Sequence, residues 1–127
     1  MNMKLNNLTE LAEFLKQLDN DSPRRKLGFD MQNTYESRED TEHHCGSACC
    51  IGGWVQHHNR DTRKMGVEDA VMTITPAGIY ADEVYCLCYP DHDEAWYATP
   101  QQAARAVEIL RDTGYCDWER AMEEVPA

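Results

Sequence analysis

The sequence predicts a mainly α, single-domain fold of about five helices spanning residues 1–127, with one short extended segment or small β element. Three observations predict it. Apolar residues recur at spacings of three and four near both ends of the chain, as on the buried face of an amphipathic helix. Those stretches carry their own start and stop residues. Between them, Cys45-Gly46-Ser47-Ala48-Cys49-Cys50-Ile51-Gly52-Gly53-Trp54 gathers small residues and ends on a large aromatic, which suits a central helix packed tightly against a neighbour. A chain of 127 residues buries roughly two-thirds of its unfolded surface in one core, so no second domain is required.

The first helix begins at Asn7, a capping residue, with Glu10 placed to reach back in a capping box. Leu8, Leu11, Ala12, Leu15 and Leu18 form its apolar face, and Asp19-Asn20-Asp21-Ser22-Pro23 ends it. Arg24-Arg25-Lys26 reads as a solvated turn. Leu27 to Met31 is expected to run extended, with Phe29 and Met31 entering the core, and the polar stretch Gln32 to Glu42 is expected to be a loop.

With Ser47 as N-cap, the central helix would set Cys49, Gly52, Gly53 and Gln56 on one side and Ile51, Trp54, Val55 and His58 on another. Each glycine inside a helix costs about 1 kcal/mol relative to alanine. An adjacent pair therefore implies that another backbone comes close. His57 to Lys64 ends this helix in positive charge, favourable at the negative end of its dipole. The histidines are expected to flank it in solvent.

Val67, Ala70 and Val71 predict a short helix, and Thr73-Ile74-Thr75-Pro76 an edge strand. Ile79 to Tyr89 is helical, with Ala81, Val84, Tyr85 and Cys88 as its buried stripe, until Pro90 stops it. Asp91 to Glu94 makes an acidic turn, after which Trp96 and Tyr97 fold back over the core. Thr99-Pro100 is a strong helix start, Ala103, Val107 and Leu110 face inward, and Gly114 closes the helix. Asp117 caps a last helix that buries Trp118, Ala121, Met122 and Val125.

The net charge of −11 is uneven. Residues 1–64 hold nine Lys/Arg against ten Asp/Glu, and residues 65–127 hold three against thirteen. Such a field repels nucleic acid and anionic membrane and steers the protein toward basic surfaces. The first eighteen residues include Glu10 and Glu13 and no uninterrupted apolar run, so they read as neither a signal peptide nor a spanning helix. The expected location is cytoplasmic. In that reducing compartment the six cysteines are expected to be free thiols.

His43, Cys45, Cys49 and Cys50, with His44, are suitable zinc ligands, and a structural zinc site is the first alternative function. A second ligand pair is hard to find, because Cys86 and Cys88 on a helix would point about 200° apart. The second alternative is a cysteine-dependent enzyme, with Cys49 or Cys50 as nucleophile and His43, His44, His57 or His58 as base. No orienting group or oxyanion site is specified. Asp91, Asp93 and Glu94 lack the glycine and glutamate register of a calcium loop, and no phosphate loop, dinucleotide fingerprint or G-x-S-x-G occurs. Neither cofactor nor catalytic residue is therefore expected, with zinc as the alternative.

The cysteine-rich stretch, together with Thr99-Pro100-Gln101-Gln102-Ala103-Ala104-Arg105 and Thr113-Gly114-Tyr115-Cys116-Asp117-Trp118, resembles small bacterial and phage proteins of unassigned activity. Those proteins pair C-G-(S/T)-x-x-C with a later T-P-x-x-A-A helix closing in T-G-x-x-D-W. Cys50 and the Gly52-Gly53 pair depart from that pattern, which more often has an alanine beside a glycine. The resemblance implies a phage-encoded inhibitor acting in the host cytoplasm, of the kind that blocks a CRISPR effector.

Charge and resemblance together lead to the expectation of a small acidic protein-binding module rather than an enzyme. Its partner would be a basic, nucleic-acid-binding surface of a host protein or nucleoprotein complex, without direct binding to nucleic acid or membrane. The candidate contact residues are Glu68, Asp69, Asp82, Glu83, Asp91, Asp93, Glu94, Glu108, Asp112, Glu119, Glu123 and Glu124. An exposed Gly52-Gly53 groove would suit a homodimer.

Overall fold

The computed structural model describes residues 4–20, 28–29, 51–90, 95 and 98–126. Within them lie six helices and one two-residue parallel strand pair. Helix α1 (Leu8–Lys16) is capped by Asn7, whose Oδ1 accepts from the Glu10 amide at 2.8 Å. The Glu10 carboxylate reaches one residue further back than a capping box would. It accepts from the amide nitrogen of Asn6 at 2.9 Å and from its Nδ2 at 3.1 Å. Leu8, Leu11, Ala12 and Leu15 are buried as the spacing predicts. Strands β1 (Asp19–Asn20) and β2 (Gly28–Phe29) pair in parallel, so the expected extended segment is present at Gly28 and Phe29. Leu27, Asp30 and Met31 lie outside the described residues, as does the stretch from Gln32 through Cys50.

Helix α2 (Ile51–His58) is the central helix, with every residue from Ile51 to His57 buried. The expected close approach is there. A Cβ at Gly52 would overlap the Val67 Cβ and lie 2.9 Å from the Val67 carbonyl oxygen and 3.0 Å from its Cα. Helix α3 (Val67–Met72) thus packs onto Gly52 from within the chain, and Gly52 and Gly53 are both buried. Arg63 completes the other end of α2, its guanidinium donating to the carbonyls of Gln56 at 3.0 Å and His57 at 2.8 Å. These are carbonyls that a helix end leaves without intrahelical donors.

His57 and His58 do not flank α2 in solvent. His57 is buried and His58 half-buried, in a ring cluster with Phe14 and Trp54. Phe14 meets His58 at 4.5 Å between centroids, and Trp54 meets His57 at 5.2 Å, both edge to face. A helix covered on every side has no exposed face on which to place them.

Three further expectations are corrected or completed. Residues 73–75 form a turn and not an edge strand. The hydroxyls of Thr73 and Thr75 donate to the Ala70 and Val71 carbonyls at 2.6 and 2.7 Å, extending the helical hydrogen bonding that β-branching alone would disfavour. Helix α4 (Ala81–Cys88) buries Val84, Leu87 and Cys88, whereas Ala81 and Tyr85 are exposed. The period was legible, but two stripes satisfied it and the one containing Leu87 faces the core. Helix α5 (Pro100–Thr113) has a complete capping box between Thr99 and Gln102 and ends at Gly114 in the left-handed conformation, φ +81°. Helix α6 (Trp118–Glu124) starts at Asp117, whose carboxylate accepts from the Arg120 amide at 3.0 Å.

Two polar side chains hold distant segments together. Asn59, buried, accepts from the Leu5 amide at 2.9 Å and donates to the Leu5 carbonyl at 2.8 Å. Gln101 donates to the carbonyls of Lys16 and Leu18, both at 3.2 Å, so α5 caps the end of the α1 helix packed along it.

Gly52→Ala is expected to destabilise the fold by about 2 kcal/mol in chemical denaturation, because overpacking against backbone outweighs the gain in helix propensity. Gly78→Ala, with nothing within 4 Å of the added methyl, should stay within about 0.5 kcal/mol of the unaltered chain. Asn59→Ala is expected to cost about 3 kcal/mol by leaving both buried backbone groups of Leu5 without partners.

Candidate acidic interface

The candidate acidic residues fall into distinct sets. Glu108, on α5, receives Lys16 from α1 at 2.6 Å and Arg105 at 3.3 Å. Glu124 receives Arg105 at 2.6 Å and Arg120 at 2.8 Å, tying α6 to α5. Asp112 is held by Arg111 through two bonds of 2.8 and 3.2 Å. Burial disfavours the charged form of Glu108, but the hydrogen bonds from Lys16 and Arg105 outweigh it and hold the carboxyl below its ordinary range. Arg111 lowers Asp112 in the same way, and Arg120 followed by Arg105 lowers Glu124. These carboxylates serve the fold.

Residues 65–127 contain only three Lys/Arg side chains, Arg105, Arg111 and Arg120, and all three are engaged in those pairs. The other carboxylates of this half therefore have no arginine of the same half left to pair with. Glu68 is half-buried, and its oxygens would lie 3.1 and 3.2 Å from a Cβ at Gly66, so the carboxylate folds back over the start of α3. Glu83 is half-buried and accepts from the Cys116 amide at 2.7 Å. Asp69, Asp82, Glu119 and Glu123 are exposed, and none has a cation in ion-pair range among the described residues. Asp91, Asp93 and Glu94 lie outside the described residues.

Position within each helix separates these groups further. Glu68, Asp69, Asp82, Glu83 and Glu119 occupy first turns, where the dipole favours negative charge. Glu123 differs. It stands in the last turn of α6, where the dipole disfavours it, and four residues after Glu119 on the same face.

The structure also shows exposed side chains that the sequence did not single out. Tyr80 precedes α4 and is 75% exposed, and Tyr115 follows Gly114 and is 64% exposed. Tyr85, expected in the core, is 55% exposed, with its ring 4.8 Å from that of Tyr89. The available signal was positional: Tyr80 and Tyr115 lie just outside helices, off any apolar stripe. The Cys116 amide donating to Glu83 and the Trp118 indole donating to the Cys86 carbonyl at 3.1 Å tie α4 to the start of α6.

His43, His44, Cys45, Cys49 and Cys50 lie outside the described residues. Cys86, Cys88 and Cys116 are in no disulfide, and the first two lie on one helix as expected. Among the described residues no group of three or more His, Cys, Asp or Glu could hold a metal ion. Nor is any described helix long and apolar enough to cross a membrane. Comparison with protein-family models, curated proteins and solved structures finds no match to the chain.

The lowered carboxyl of Glu108 contributes stability that is present above its unfolded pKa, about 4.3, and lost as pH falls through the folded value. Glu108→Gln should accordingly destabilise the protein by about 1 kcal/mol at pH 7, and the two unfolding curves should converge as the carboxyl protonates in acid.

Proposed function

We propose that the protein is a small acidic binding module whose exposed carboxylates occupy a basic surface of a host protein or nucleoprotein complex that otherwise receives nucleic acid. In its most specific form this is a phage-encoded inhibitor of a nucleic-acid-handling complex such as a CRISPR effector, acting in the host cytoplasm. One observation carries the binding role. Glu119 and Glu123 form a like-charge pair at i and i+4 on α6, both exposed, while every arginine after residue 64 is engaged elsewhere. Such a pair costs a few tenths of a kcal/mol in folding. A function that uses the charge accounts for its presence, whereas solubility would be served as well by carboxylates placed without repulsion.

The test separates stability from binding. Glu119→Gln with Glu123→Gln is expected to stabilise the fold by about 0.5 kcal/mol. The same double variant should lose a basic, nucleic-acid-handling partner that the unaltered chain captures from host lysate at low salt and releases as salt rises. Capture of no such partner, or capture that high salt and the double variant leave unchanged, would count against the proposal.

A further inference from the structure

We propose that the cleft where the N-terminal segment meets the chain just after α2 and just after α3 binds a free α-amino acid, with Asp61 taking its ammonium group and Lys4 its carboxylate. This site is independent of the acidic surface proposed above. The cleft has a volume of about 200 Å³, far beyond the roughly 15 Å³ that admits one water, and Lys4, Leu5, Asn59, Asp61, Thr73 and Ile74 line it together. Its walls are fixed by bonds within the chain. Asn59, buried, holds both backbone groups of Leu5, and the Thr73 hydroxyl donates to the Ala70 carbonyl at 2.6 Å, so little of the frame has to be ordered by a ligand.

The two charges on this cleft are neighbours without being bonded. Lys4 Nζ stands 3.9 Å from Asp61 Oδ2, about 1 Å beyond a charge-assisted hydrogen bond, and neither has another ion-pair partner among the described residues. Both side chains are more than half exposed, so the pair adds little to folding. Its spacing matches a molecule that carries the opposite charges close together. In an α-amino acid one carbon separates the two groups, which sets the ammonium nitrogen and the nearer carboxylate oxygen roughly 2.7 Å apart. Bonds of about 2.8 Å from each group to its counterpart then close a four-centre ring of alternating charge across the 3.9 Å gap. With its hydrogen committed to Ala70, the Thr73 hydroxyl gives the cleft lone pairs alone, which suits the ammonium. Charge decides against simpler ligands. An anion is opposed by the net −11 of the chain and leaves Asp61 unmatched, a cation leaves Lys4 unmatched, and a zwitterion meets both with no net charge.

NMR titration of the full chain with L-alanine, N-acetyl-L-alanine and L-alaninamide, followed at the amides of Leu5, Asn59 and Ile74, tests the assignment. L-Alanine should shift these signals saturably, with a Kd on the order of millimolar for so small a ligand. Each capped analogue lacks one of the two charges and should bind about tenfold more weakly. Asp61→Asn should remove the preference for L-alanine over N-acetyl-L-alanine, and Lys4→Met the preference over L-alaninamide. Neither substitution should move the thermal midpoint, since both side chains are exposed. Shifts with L-alanine that do not saturate, equal affinity for the three probes, or preferences that survive the substitutions would overturn the inference.

Discussion

The approach of α3 onto Gly52 sets the geometry on which the remaining helices depend. With the Val67 backbone about 3 Å from where a Cβ would stand, α2 is buried from Ile51 to His57, and Trp54 lies in the core beside Phe14. Enclosure in turn determines how the ends of α2 are satisfied. Arg63 folds back onto its last carbonyls, and Asn59, just beyond, grips the backbone of Leu5 ahead of α1. One residue without a side chain thereby fixes where the N-terminal segment, the central helix and α3 meet. The adjacent glycines reduce helix propensity, and close packing is what offsets that cost.

Much of this fold was legible because its signals are local. Asn7, Thr99, Gly114 and Asp117 act at the helix ends they were expected to mark, since a cap depends on hydrogen bonds within a few residues of itself. The glycine pair predicted close contact correctly but could not name the neighbour. The failures were tertiary. Val84-Leu87-Cys88 and Ala81-Val84-Tyr85-Cys88 have equally good helical spacing, and only the packing of α4 selects the first. His57 and His58 look like a solvated helix end until Phe14 and Trp54 are placed beside them. Asn59 pairs with a residue 54 positions away, and no local rule could reveal it.

The acidic surface was legible as a total and not as a site. Composition located the excess charge after residue 64, but it could not distinguish Glu108 and Glu124, which join helices, from Glu119 and Glu123, which meet no cation among the described residues. The distinction follows from how few cations that half contains. With three arginines and thirteen carboxylates, each ion pair that strengthens the fold concentrates the remaining negative charge on the other helices. Structural pairing and surface potential are consequently coupled in this protein.

Gln102 joins two places that are distant along the chain. Its Oε1 closes the capping box on the Thr99 amide at 2.9 Å, while its Nε2 donates to the Val125 carbonyl at 2.8 Å. One amide group thus serves the first turn of α5 and the residue that follows α6. Fraying, normally independent at such ends, becomes shared: opening after α6 withdraws a partner from the side chain that orders the start of the longest helix. The two ends should exchange their amide hydrogens as a single cooperative unit, and a perturbation entering at either one is felt along α5.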